Sequence, residues 1–212
     1  GTYTENIDFL GKQITVASLL LTTGDRNYIE STIIDGDSAD CCVAFNNREG
    51  PGALLQGFTL RNGVQMFGGG VDIQTDASPR LLDLLITGNY ARQIGAGIYC
   101  TWNASPHIER VTVTGNQSQD GAGIGIAHEA HPTIVNSVIQ DNVATGLGGG
   151  IYAGHGAGEL TLDHVLVEGN TGGDVGGIYL EYSRHDTLRN VTIAGNSGDV
   201  VGGIALYAIG QF

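Results

Sequence analysis

Three columns of residues return along this chain at one interval and in one register. The strings ITGN, VTGN, IQDN, VEGN and IAGN close on Asn89, Asn116, Asn142, Asn170 and Asn196, at steps of 27, 26, 28 and 26 residues. An LRNG string places Asn62 a further 27 residues upstream. A second column, led by paired glycines, puts Val71, Ile98, Ile124, Ile151, Ile178 and Ile204 at steps of 27, 26, 27, 27 and 26. A third is marked by Pro79, Pro106 and Pro132, with Glu159 and Thr187 taking the place of proline in later repeats. A period of this size means a stack of similar units that share one continuous core.

Inside a repeat the apolar period is two. In Val111-Thr112-Val113-Thr114 the valines face one way and the threonines the other, which is strand behaviour. Each repeat then holds three short strands: proline-led, asparagine-terminated and glycine-led. Three strands and a return to register make one turn of a three-faced coil, and stacking coils about 4.8 Å apart pairs every strand with its equivalents. The expected fold is an all-β, right-handed parallel β-helix of about eight coils. Leu81, Ile108, Ile134, Leu162 and Leu188 form one inward column, and Ile86, Val113, Ile139, Val167 and Ile193 another. Asparagine tolerates left-handed backbone angles, and its amide both donates and accepts, so the asparagines are expected to form a structural ladder at a corner.

The chain reads as one β-helical domain over 1–212, with irregular first coils in 1–56 and six regular coils in 57–212. Strand candidates in the opening part are Ile7 to Phe9, Ile14 to Ala17, Thr32 to Ile34 and Val43 to Phe45. The sequence starts inside a strand and ends within a coil. Open coil ends expose sheet edges, so the expected partners are neighbouring segments of a longer chain or other copies stacked end to end.

The net charge is −13, and Lys12 is the only lysine. Such a surface repels nucleic acid phosphates and anionic membranes, so neither is an expected partner. No apolar run approaches the roughly 20 residues of a membrane span. Cys41, Cys42 and Cys100 lack the paired spacing of a zinc site and read as buried fillers. No cofactor is expected. Calcium is the one ion that an acid-rich surface of this kind suits.

The stretches GTYTENIDFLGKQITV, STIIDGD and GFTLRNG, with the GGGIY and VTVTGN repeats, resemble the pectin-lyase-like superfamily of right-handed β-helix proteins. The resemblance covers nearly the whole chain and implies an extracellular or cell-surface setting. That superfamily includes polysaccharide lyases and hydrolases, phage tailspikes, adhesins and bacterial surface proteins, so fold alone does not choose a function. A structural or adhesive scaffold is the first expectation, and a polysaccharide-binding or polysaccharide-cleaving module is the alternative.

For the second reading the candidates fall in columns. One residue past the ladder isoleucine stand Asp72, Tyr99, Gly125, Tyr152, Tyr179 and Ala205, expected to point outward. Four past it stand Thr75, Trp102, His128, His155 and Tyr182, in the loop that resembles the cleft-forming one. Tyr99, Trp102, His128, Tyr152, His155, Tyr179 and Tyr182 together make a candidate saccharide face, since flat rings stack on sugars. On the proline-led strand the outward column is Leu82, Glu109, Val135, Asp163 and Arg189. Glu109 and Asp163 are the candidate acid and base, two coils and about 10 Å apart, slightly beyond the usual spacing of inverting glycosidases. Gly154-His155-Gly156 is similar to a tripeptide of polygalacturonases, but the Asn-x-Asp, Asp-Asp and Arg-x-Lys elements of that family are missing. Arg189 beside Asp163 is expected to form a surface ion pair of small energetic value.

Overall fold

The computed structural model describes residues 1–181 and 185–207. The chain winds as a parallel β-solenoid in which strands pair with the equivalent strands of the neighbouring coils. The asparagine-side sheet has eight strands, from Thr2–Thr4 to Thr192–Ala194. The glycine-led sheet also has eight, from Ile7–Asp8 to Ile204–Tyr207. The proline-led sheet has seven, from Thr15–Ala17 to Thr187–Arg189. A fourth, short sheet joins Val64–Phe67, Tyr90–Ile94, Gln117–Ser118 and Val143–Ala144. It follows the ladder asparagine, where the chain stays extended for a few residues before the glycine turn.

The opening residues share these sheets. Thr2 pairs with Ile33, and Ile33 with Thr59, so the first coils hold the register of the rest. Two short helices, Leu20–Thr23 and Asn27–Ser31, interrupt the first of them. Neither helix is long or apolar enough to cross a membrane.

The inward columns are buried as their spacing predicts. Leu81, Ile108, Ile134, Leu162, Ile86, Val113, Ile139 and Val167 lie in one apolar core with Val71, Ile98, Ile124, Ile151 and Ile178. Leu188, in the last described coil, is more exposed. Two register details differ from the sequence reading. The positions equivalent to Pro132 are Leu160 and Asp186, one residue beyond Glu159 and one before Thr187, because Thr133 pairs with Thr161 and Thr161 with Thr187. Asn62 stands outside the asparagine ladder. Arg61 pairs with Thr87, so Asn62 occupies the place of Gly88, and Gly63 that of Asn89.

The ladder itself runs from Asn89 through Asn116, Asn142 and Asn170 to Asn196. Each Nδ2 donates to the next Oδ1 at 2.9–3.0 Å. The same Oδ1 accepts the preceding asparagine's backbone N–H, and each Nδ2 also reaches a backbone carbonyl one coil earlier. Full pairing is what lets carboxamides sit in an apolar interior. At its first end the ladder is closed by Gly63 N–H, which donates to Asn89 Oδ1 at 2.9 Å, with the Cys42 thiol set between that oxygen and the Arg61 carbonyl. The left-handed residue at this corner is not the asparagine but the one before it: Gly88, Gly115, Asp141, Gly169 and Gly195 all have φ between 53° and 66°. The glycines that follow are needed for a separate reason. A Cβ on Gly97 would lie 2.4 Å from the Gly123 carbonyl oxygen and 2.5 Å from a Val113 methyl.

Candidate functional site

The corner between the glycine-led and proline-led sheets is a stack of two-residue turns. Leu10-Gly11, Thr75-Asp76, Trp102-Asn103, His128-Glu129 and His155-Gly156 all have positive φ at both positions. Each turn is closed by a backbone bond, such as Ala104 N–H to the Thr101 carbonyl at 3.2 Å and Ala130 N–H to the Ala127 carbonyl at 3.2 Å. Turns of this kind normally take Gly, Asn or Asp, so a tryptophan and two histidines at their first position are costly choices. The turns are also bonded to one another, Asn103 N–H to the His128 carbonyl and Glu129 N–H to the Gly156 carbonyl. That spacing brings the rings together. Trp102 and His128 stack with centroids 4.2 Å apart and planes 8° apart, and His128 and His155 follow at 6.5 Å and 15°. Thr101 Oγ1 fixes the His128 ring through Nδ1 at 3.0 Å. Tyr182, the next candidate in this column, lies outside the described residues.

The His128 ring is therefore sandwiched between its two neighbours. Trp102 is 54 % exposed, but one of its faces is taken up by His128. A sugar stacks on a face rather than an edge, so the ridge offers less binding area than the residue types suggested.

The tyrosine column lies differently. Tyr99 and Tyr152 point away from the main core, as expected for their strand positions, yet they are only 5 % and 4 % exposed. Phe67, Ile94 and Leu147 fold over them and make a second, smaller apolar cluster, with Tyr179 packed at its side. Tyr152 and Tyr179 stack at 5.5 Å, and Phe67 and Tyr99 at 5.2 Å. Gly125 interrupts the tyrosines because Ile94 fills its slot: a Cβ there would come within 2.3 Å of the isoleucine methyl. Burial raises the Tyr99 and Tyr152 phenols above their ordinary pKa. Tyr99 and Tyr152 thus act as packing under the covering segments and leave the saccharide face proposed for them inaccessible.

Glu109 and Asp163 do not converge. Val135 stands between them in strand register. Glu109 contacts Arg110 and lies 3.5 Å from His107 Nε2. Asp163 is bonded to Arg189 at 2.6 Å and to His164 at 2.8 Å. The hydrogen bond from Arg189 holds the Asp163 carboxyl below its usual pKa, which suits a permanent anion and not a proton donor. Two carboxylates with separate cationic partners lack the paired environments that acid–base hydrolysis requires.

A groove of about 480 Å³ beside the turn stack is lined by Glu129, His131, Glu159 and His185 with three small residues. His131 Nδ1 accepts the Glu159 backbone N–H at 2.9 Å, which directs one of its nitrogens inward. Among the described residues no group of three or more His, Cys, Asp or Glu side chains is arranged to hold a metal ion. The three cysteines are free and buried, and burial raises their thiol pKa values, that of Cys42 to about 12.

Two polar centres had no signal in the sequence. Asp83 is buried at the corner between the proline-led and asparagine-side sheets, where Arg26, Arg110 and Gln56 all donate to it at 2.7–3.0 Å. Asp72, expected in the outward column, is 3 % exposed beneath the segment that carries Phe67. Arginines 57 and 27 residues away in sequence are brought to Asp83 only by the coil register.

The model of the family described as the right-handed β-helix region matches residues 17–197. Comparison with curated proteins and with solved structures gave no significant match.

Proposed function

Because the chain belongs to the right-handed β-helix family, we propose that it serves as a rigid structural or adhesive scaffold, outside the cell or at its surface. The observation that carries this reading is the turn stack. Trp102 and His155 each set one ring face toward His128, at positions whose left-handed backbone is costly for such residues. Side chains arranged in this way link successive coils along the solenoid axis and take one face of the Trp102 ring from any ligand. The acid-rich, lysine-poor composition supports an extracellular setting, in which calcium is the ion such a surface would meet. The same composition disfavours nucleic acid and membrane insertion as partners. Association of coil with coil, between copies or with neighbouring β-helical segments, is part of the proposal, since a parallel ladder accepts any coil of matching register.

The half-exposed Trp102 is the feature that favours polysaccharide binding or cleavage instead. Electron microscopy of concentrated protein, run beside a depolymerisation assay on uronate-containing and neutral polysaccharides, separates the two. Fibres with a repeat of about 38 Å, eight coils at about 4.8 Å each, and no chain cleavage are the expected result. Separate particles would remove the end-to-end assembly from the proposal, and any cleavage would overturn the scaffold reading.

A further inference from the structure

Asp72 lies in the glycine-led strand Val71–Ile73, next to the strand Val43–Phe45, which leads directly into Asn46. The carboxylate oxygen Oδ2 accepts from Gln74 Nε2 at 2.7 Å and, more weakly, from Asn46 Nδ2 at 3.4 Å. Asp72 Oδ1 and the Asn46 amide oxygen are both buried, and among the described residues no donor reaches either. Two orphan acceptors on two groups that already touch are short of one hydrogen between them. Turning the Asn46 amide over would leave Oδ2 to Gln74, but it sets the amide oxygen against Oδ2 with no hydrogen between them, so one proton is still short. A carboxylic acid facing a carboxamide solves the pairing: the amide N–H donates to one acid oxygen, and the acid O–H donates to the amide oxygen.

We propose that Asp72 and Asn46 form such an acid–amide pair, joined by a proton on Asp72, and that it is a pH-sensitive latch between the second and third coils. The surroundings favour the neutral acid. The titratable groups facing Asp72 are Asp40 and Cys41 from the coil before and Tyr99 and Cys100 from the coil after, and each is neutral or negative. Gly68 adds to the enclosure, its Cβ position lying 2.8 Å from Asp72 Cβ. Burial pushes the Asp72 carboxyl up to about 6, against the weaker opposing effect of the Gln74 and Asn46 hydrogen bonds. A folded-state pKa above the unfolded 3.8 means that the folded protein holds the extra proton between those two values. The latch is therefore complete at low pH, and its contribution is lost as pH rises through about 6.

The test follows the carboxyl carbon of Asp72 by 13C NMR across pH 3 to 8 and measures urea unfolding of wild type and Asp72→Asn over the same range. The wild-type carboxyl is expected to titrate near 6. Relative to Asp72→Asn, which carries a permanent donor, the wild-type unfolding constant should rise by up to about a hundredfold between pH 4 and 8. A carboxyl that titrates in the ordinary range near 4, or a wild-type-to-variant ratio flat with pH, would overturn the latch. So would stabilisation of the wild type alone by added calcium or potassium chloride, which would make the two oxygens cation ligands. Should Asp72→Asn fail to fold, the wild-type NMR titration decides alone.

Discussion

The Trp102 indole and the His128 imidazole lie face to face, 4.2 Å apart at their centroids, on turns whose left-handed backbone would suit glycine better. Strain at one residue and stacking between two are opposed here, and they can be separated by substitution. Trp102→Ala keeps the strained φ of 53° and loses the stack, so it should destabilise by about 1 kcal/mol. Trp102→Gly loses the stack but relieves the backbone and should be close to wild type. Urea unfolding followed by far-UV circular dichroism reads both variants. An alanine variant more stable than the glycine one would contradict this account.

The asparagine ladder makes a larger claim. Asn142 Oδ1 accepts from both the backbone and the side chain of Asn116, and its Nδ2 donates to the Val113 carbonyl. Asn142→Ala would strand these groups in the interior, at a cost of about 1–3 kcal/mol for each unpaired buried group. The urea midpoint should fall accordingly, and much further than for Asn62→Ala, which lies outside the ladder. Equal losses at the two positions would show that the ladder bonds carry no special weight.

Asp83 supplies a pH prediction of opposite sign to that of Asp72. Burial alone would raise its pKa, but hydrogen bonds from Arg110, Gln56 and Arg26 outweigh burial and leave it at about 2. A folded pKa below the unfolded 3.8 gives stability that is present above 3.8 and lost as pH falls toward 2. Asp83→Asn should cost about 1–2 kcal/mol at pH 7, because the charge-assisted hydrogen bonds from two partly exposed guanidinium groups are lost. The difference between wild type and variant should shrink below pH 4. A gap that stayed constant down to pH 2 would contradict the assignment.

The repeat was legible because β-solenoid register is written directly into sequence spacing. Ile98, Ile124 and Ile151 fall in one column by counting, and the structure pairs them so. Counting failed by one residue at Asn62, since an asparagine in the left-handed corner position looks the same in sequence as one in the ladder. It also placed Tyr99 and Tyr152 on an open face. Strand alternation tells which side of the sheet a residue points to, but not whether Phe67, Ile94 and Leu147 later fold over that side. The same covering segments bury Asp72, and neither its missing donor nor that of Asn46 has any trace in the local sequence. The Trp102 and His128 column was visible, whereas its ring orientation depends on the turn geometry and was not.

Trp102 is the only tryptophan in the chain and sits on the ridge where a saccharide would have to stack. Its fluorescence therefore tests the scaffold account most directly. Titrating the protein with a panel of acidic and neutral oligosaccharides should leave the emission wavelength and intensity unchanged if the stack with His128 is packing that braces the coils. A saturable shift with any of them, abolished by His128→Ala or His155→Ala, would contradict the scaffold account and make the ridge a carbohydrate-binding site.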